Sequence, residues 1–265
     1  TFEHSFHGRT FGALAITGSP GKREPFAPFA HEVRFVPFGD SAALAAAVDD
    51  SVAAVVLEPI QGEGGVIVPP VDYLSDARRI ADEHNALLIV DEVQSGIGRT
   101  GAWFASRAAG VVPDVITLAK GLGGGLPIGA VLATGAAAHA LKPGDHGSTF
   151  GGNPASCAAA LAVITTIDEQ GLLDNARTLG EHFAQRVAGI NHPLLAGSRG
   201  AGLWHALVFN GDHAAAFEST ARAHGFLVNA VKPDAVRIAP PLIITQQQLD
   251  SFIDAIPTIL DAIGE

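Results

Sequence analysis

The sequence predicts an α/β protein. A larger domain over residues 1–154 carries a mostly parallel sheet with flanking helices. Linking helices and a smaller α+β domain follow over 155–265. Three observations predict this. Through the first 150 residues, short apolar runs alternate with amphipathic stretches, the pattern of strand–helix units. Those runs are rich in β-branched residues and nearly unbroken, as in strands covered on both faces. After "GSTFGGNP" (147–154) the texture changes to long helices and scattered strands.

Taken in order, "VRFVPF" (33–38), "AAVVLEPI" (53–60), "LLIVDEV" (87–93), "VITLA" (115–119) and "GAVLAT" (129–134) read as strands. Between them, "SAALAAAVDD" (41–50) starts on a Ser N-cap, and "VDYLSDARRIADEHN" (71–85) is a helix with Asp72 near its start. Residues 155–171 form a small-residue helix and 172–190 an amphipathic one. "GLWHALVFN" (202–210), a helix near 213–224, "VRIAPPLIIT" (236–245) and a last helix over 246–262 complete the chain.

Composition narrows the function. A net charge of −11 without a basic stripe argues against nucleic acid. No run is long and apolar enough to span a bilayer. The single cysteine, Cys157, excludes an internal disulfide framework and fits a reducing compartment, so a cytoplasmic location is expected. The eleven histidines show no metal-ligand spacing, so no metal is expected, and His7 reads as structural. The chain opens on "TFEHSFHGRTFGALA", as if mid-domain, and contains no Met. It is therefore expected to be the C-terminal part of a longer protein.

Two positions carry chemistry. Asp91 ends a buried strand, where a carboxylate is costly unless paired or hydrogen-bonded. Alone it reads as a cap, and Glu92 beside it points to the other side. Lys120 ends the next strand, directly before "GLGGGLP". Both stand at the carboxyl ends of strands, where open parallel sheets place ligands. They could form a plain ion pair, or face two ends of one cofactor. Pyridoxal phosphate needs a lysine to hold it covalently and a carboxylate to keep its pyridine nitrogen protonated. A phosphate-loop reading of "KGLGGGLP" fails, because the Lys precedes the glycines and no Ser or Thr follows it.

"DEVQSGIGRTG" followed by "PDVITLAKGLGGGLPIGA" resembles the class III, ornithine-type aminotransferases, within them most of all the acetylornithine group of arginine biosynthesis. "FHGRTFGALAITG", "VVLEPIQGEGG", "HGSTFGGNP" and "VRIAPPLII" match in the same order, so the resemblance covers essentially the whole chain. It implies the fold-type I architecture of pyridoxal-phosphate enzymes and a homodimer with shared active sites. The implied reaction moves the terminal amine of N2-acetylornithine to 2-oxoglutarate. Ornithine, succinylornithine and 4-aminobutyrate are the alternative donors, and a non-catalytic fragment is the alternative role.

The resemblance also assigns residues. Lys120 would carry pyridoxal phosphate, Asp91 would pair with its ring nitrogen, and Gln94 would meet its ring oxygen. Val93 and Phe6 would cover the two ring faces, and Glu92 falls in the same cofactor-binding block. Arg9 would hold a substrate carboxylate. Ser148 and Thr149 would reach the neighbouring subunit's site, Ser148 toward substrate and Thr149 toward the cofactor phosphate. Glu63 and Arg237 would form a switchable pair that hides the arginine from the amine donor and frees it for 2-oxoglutarate; a fixed salt bridge is the alternative. Glu58 reads as a hydrogen-bonding support. The family's first phosphate-cradling segment lies upstream of "FHGR" and outside this sequence.

Overall fold

The computed structural model describes residues 1–264. The chain divides into two compact units. The first comprises Thr1–Gln61, Pro69–Ile97 and Ala102–Thr166. The second comprises Gly62–Val68, Gly98–Gly101 and the residues from Ile167 onward.

The first unit holds α1 (Phe11–Ala15), α2 (Pro20–Arg23), α3 (Ser41–Ala47), β1 (Ala54–Leu57), α4 (Tyr73–Glu83), β2 (Leu87–Asp91), α5 (Ala105–Ala108), β3 (Val115–Leu118) and β4 (Ala130–Ala133). The sheet order is β1-β2-β3-β4. β1, β2 and β3 run parallel, with Leu57 opposite Val90 and Asp91 opposite Thr117. β4 runs antiparallel to β3. Burial forces the strand assignment: Leu57, Leu88 and Val90 are sealed against Ala77 and Ile80 of α4 and Leu44 of α3. In α4 the buried positions Tyr73, Leu74, Ala77, Ile80 and Ala81 recur at helical spacing.

Two local expectations are corrected. The run 33–38 is not a strand; Val36 alone bridges, to Phe2. Pro37 next to it has no N–H to extend the ladder. The cap of α3 is Asp40, whose carboxylate accepts the Ala43 N–H at 2.8 Å, and Ser41 is the first helical residue.

α6 (Pro154–Glu169) spans the division between the units. The second unit continues with α7 (Leu172–Ala188), β5 (Leu195–Ala201), β6 (Trp204–Phe209), α8 (Ala214–Ala223), β7 (Asn229–Lys232), β8 (Ala235–Ile238) and α9 (Gln246–Gly264). Its strands form an antiparallel sheet in the order β5-β6-β8-β7. Phe183 of α7, Leu207, Val236, and Ile253 and Ile256 of α9 make its core. β5 and β7 lie outside the sequence expectation. β5 reads LAGSRGA, and its glycines and lone arginine obscure the two-residue period.

Candidate active site

β2 and β3 are parallel neighbours, so their carboxyl ends open on the same edge of the sheet. Asp91 is the last residue of β2, and Lys120 lies just beyond the end of β3. Asp91 is buried, and both carboxylate oxygens are occupied. Oδ1 accepts the Val93 N–H at 3.0 Å, and Oδ2 lies 2.8 Å from Nδ1 of His7. Carboxylate oxygens only accept, so the Nδ1–H of His7 donates. The other ring nitrogen lies 3.2 Å from Oγ1 of Thr1.

Lys120 is exposed and has φ of 45°, the left-handed region that non-glycine residues rarely enter. The Leu122 N–H bonds Ala119 O, and Gly124 and Gly125 follow at φ 57° and 110°. Strain of this kind persists where the surroundings over-determine the backbone, and it concentrates at functional sites.

The segment that supplies His7 is anchored at its start. Phe2 is fully buried in an edge-to-face cluster with Phe38 and Tyr73, at ring separations of 5.4 to 5.9 Å. Gln61 Nε2 donates to Glu3 O at 2.9 Å. Glu58, just past β1 and buried, accepts the Phe6 N–H at 3.0 Å, the support role expected of it. The Phe6 ring is flanked by cations, with Lys22 Nζ at 4.8 Å and Arg9 Cζ at 5.9 Å from its centroid. Phe6, His7 and Asp91 thus converge on one end of the sheet.

The remaining positions are placed as follows. Val93 and Gln94 are half-buried in the turn after Asp91. Glu92 is buried with its carboxylate turned to the start of α5, accepting from Ser95 Oγ, Ala105 N and Ser106 N. That side chain caps α5, which accounts for a buried carboxylate beside Asp91. Ser148 and Thr149 are exposed in one loop, where Ser148 Oγ accepts the Gly151 N–H at 2.9 Å.

In the second unit, Arg237 of β8 donates through Nη1 to Glu63 Oε1 at 3.0 Å, and through Nη2 to Asn229 Oδ1 at 2.7 Å. The sequence-expected pair is therefore formed. Arg99 belongs to the same unit and donates through Nη1 to Leu203 O at 2.9 Å and Pro240 O at 2.6 Å. Burial lowers its pKa to about 10, which leaves it cationic at neutral pH. His7 and Asn229 were not singled out as site residues from the sequence. His7 lies 84 residues from Asp91, and Asn229 meets Arg237 only through strand pairing, so neither contact leaves a local motif.

A mostly parallel sheet carrying a carboxylate and a lysine at neighbouring strand ends, with a separate antiparallel unit, is the fold-type I architecture. The chain belongs to the aminotransferase class-III family, whose profile matches residues 1–260. It is 56% identical over 263 residues to the acetylornithine aminotransferase of Mycolicibacterium smegmatis, covering 99% of this chain and 67% of that protein. It is 56% identical over 261 residues to the acetylornithine aminotransferase of Mycobacterium tuberculosis H37Rv, covering 98% and 65%. Among solved structures, ornithine aminotransferase from Toxoplasma gondii matches with a TM-score of 0.93 and 34% identity over 99% of this chain and 63% of that one. The chain thus spans about two thirds of the length of these relatives.

Proposed function

We propose that the chain is the greater part of a pyridoxal-phosphate transaminase. In this reading it moves the terminal amine of N2-acetylornithine to 2-oxoglutarate, giving N-acetylglutamate 5-semialdehyde and glutamate. The observation that carries the chemistry is the placement of Asp91 and Lys120 at the ends of parallel neighbours, the carboxylate buried and oriented by His7. The named substrate draws its support from the curated relatives, which bear that activity in their names.

The donor set fits pyridoxal phosphate. Asp91 offers acceptor oxygens held by a histidine N–H and a backbone N–H, suited to a protonated ring nitrogen. Lys120 offers the amine for covalent attachment. Phe6 offers an aromatic face and Val93 an apolar one. When bound, the cofactor supplies an electron sink for the substrate's amine-bearing carbon. Asp91 holds the proton on the ring nitrogen, and His7 fixes the carboxylate that does so. Lys120 would hold the cofactor covalently, and its Nζ would serve as the base and then the acid for the proton of the substrate's amine-bearing carbon. Arg9 binds a substrate carboxylate by its planar fork. Glu63 neutralises Arg237 while the amine donor is bound and releases it to the α-carboxylate of 2-oxoglutarate. A homodimer in the cytoplasm completes the reading, with Ser148 and Thr149 reaching the partner's site from their exposed loop.

Borohydride reduction of the cofactor-loaded protein, followed by peptide mapping, tests the assignment. The pyridoxyl label is expected on Lys120. A label on any other lysine overturns it.

A further inference from the structure

Arg237 has a second partner of a different kind from the first. Its Nη1 meets the charged Glu63 at 3.0 Å, and its Nη2 meets the neutral carbonyl oxygen of Asn229 at 2.7 Å. Asn229 and Arg237 are direct cross-strand partners in the antiparallel β7–β8 ladder. Their side chains therefore share one face of the sheet, and main-chain pairing sets the distance between them. Glu63 comes from outside the sheet, in the Gly62–Val68 segment. One arm of the guanidinium is thus held from its own sheet, and the other from a separate segment.

We infer that Asn229 is a specificity-determining positioning residue: it keeps the Arg237 guanidinium aimed when Glu63 leaves it, without neutralising its charge. The inference rests on the proposal that Arg237 receives the α-carboxylate of the amino acceptor. An arginine released from Glu63 regains rotamer freedom, and ordering it again weakens ligand binding. A fixed amide oxygen on the neighbouring strand removes that cost. The acceptor must be neutral, and here it is an amide. A guanidinium has donors only, so the oxygen is the end that faces it. A carboxylate at the same place would hold the guanidinium as well but would keep it permanently paired. A third anion, the incoming substrate carboxylate, would then meet repulsion instead of an available charge.

The test uses the cofactor-loaded protein and glutarate, a non-reacting dicarboxylate, with dissociation constants measured by calorimetry. The half-reactions with N2-acetylornithine and with 2-oxoglutarate are followed separately by single-turnover absorbance. Asn229→Asp is isosteric at an exposed edge position and leaves the fold in place. It is expected to weaken glutarate roughly tenfold to a hundredfold, the range of one charge-assisted contact. The half-reaction with N2-acetylornithine is expected to lose less than that with 2-oxoglutarate. Asn229→Ala, which removes the guide but not the charge balance, is expected to weaken glutarate by a smaller factor. Arg237→Ala is the control. If Arg237→Ala weakens glutarate and both Asn229 variants do not, the role of Asn229 is overturned while that of Arg237 stands. If Arg237→Ala leaves glutarate binding unchanged, both fall. Equal losses in the two half-reactions of Asn229→Asp also overturn the inference, because they mark a purely structural contact.

Discussion

The imidazole of His7 donates from Nδ1 to Oδ2 of Asp91 at 2.8 Å, across 84 residues of sequence. With Val93 N–H on the other oxygen, it sets the direction of the carboxylate at the end of β2. Replacing His7 with Phe leaves Asp91 one donor short in a buried place. A hydrogen bond to a charged group contributes about 1.5–3 kcal/mol. His7→Phe is expected to lower kcat about tenfold to a hundredfold, and to weaken cofactor retention in equilibrium dialysis. His7→Asn is expected to recover part of both. An unchanged kcat in His7→Phe would show that the contact only packs the segment.

Asp91→Asn keeps the size and the Val93 contact but removes the charge. Loss of one preorganised electrostatic partner costs on the order of a hundredfold to a thousandfold in turnover. Circular dichroism should show an unaltered fold, and steady-state kinetics the loss. Turnover near the parent value would reduce Asp91 to a cap.

Glu63→Ala exposes Arg237 in both half-reactions. The reaction with glutamate is expected to be spared or quickened, and that with N2-acetylornithine weakened by roughly 1.5–3 kcal/mol of relative specificity. Single-turnover absorbance of each half separates these outcomes. Equal loss in both would mean a fixed salt bridge.

Gly180 lies inside α7, where an added Cβ would stand 2.1 Å from the carbonyl oxygen of Gly202, in the turn between β5 and β6. Backbone meets backbone there, so no side chain can give way. Gly180→Ala is expected to destabilise the second unit by about 1–3 kcal/mol or more. The midpoint of urea unfolding measures it, and an unchanged midpoint would show that the helix and the turn part freely.

Asp114 responds to pH. Burial acts to raise its pKa, but hydrogen bonds from Arg78 and from the Leu88 N–H, each at 2.7 Å, outweigh it and hold the carboxyl below its ordinary value. A depressed folded pKa stabilises above the unfolded pKa of about 3.9, and the contribution is lost as pH falls through the folded value. Asp114→Asn is therefore expected to lower the urea midpoint at neutral pH and to flatten its decline below about pH 4. A parallel decline in both proteins would rule out this pair as a contributor.

What the chain alone determined is what depends on local pattern. Four of the expected strand runs of the first unit became β1 to β4; β1 to β3 bury alternate residues, whereas β4 formed by pairing with β3 although it stays largely exposed. Asp91 and Lys120 stood out because a charge at the end of such a run is costly and needs a reason. Glu63 and Arg237 stood out only through resemblance to a family, since no spacing rule links them. Tertiary structure decided the rest. The direction of β4 depends on its pairing with β3, and periodicity does not encode direction. Glu92 and Asp91 are adjacent in sequence and point to opposite sides, as successive residues of an extended chain do, but only the fold shows that one caps α5 and the other faces His7. His7 and Asn229 acquired their partners through chain crossings of 84 and 8 residues, and a contact made by folding across such distances leaves no mark in the residues on either side.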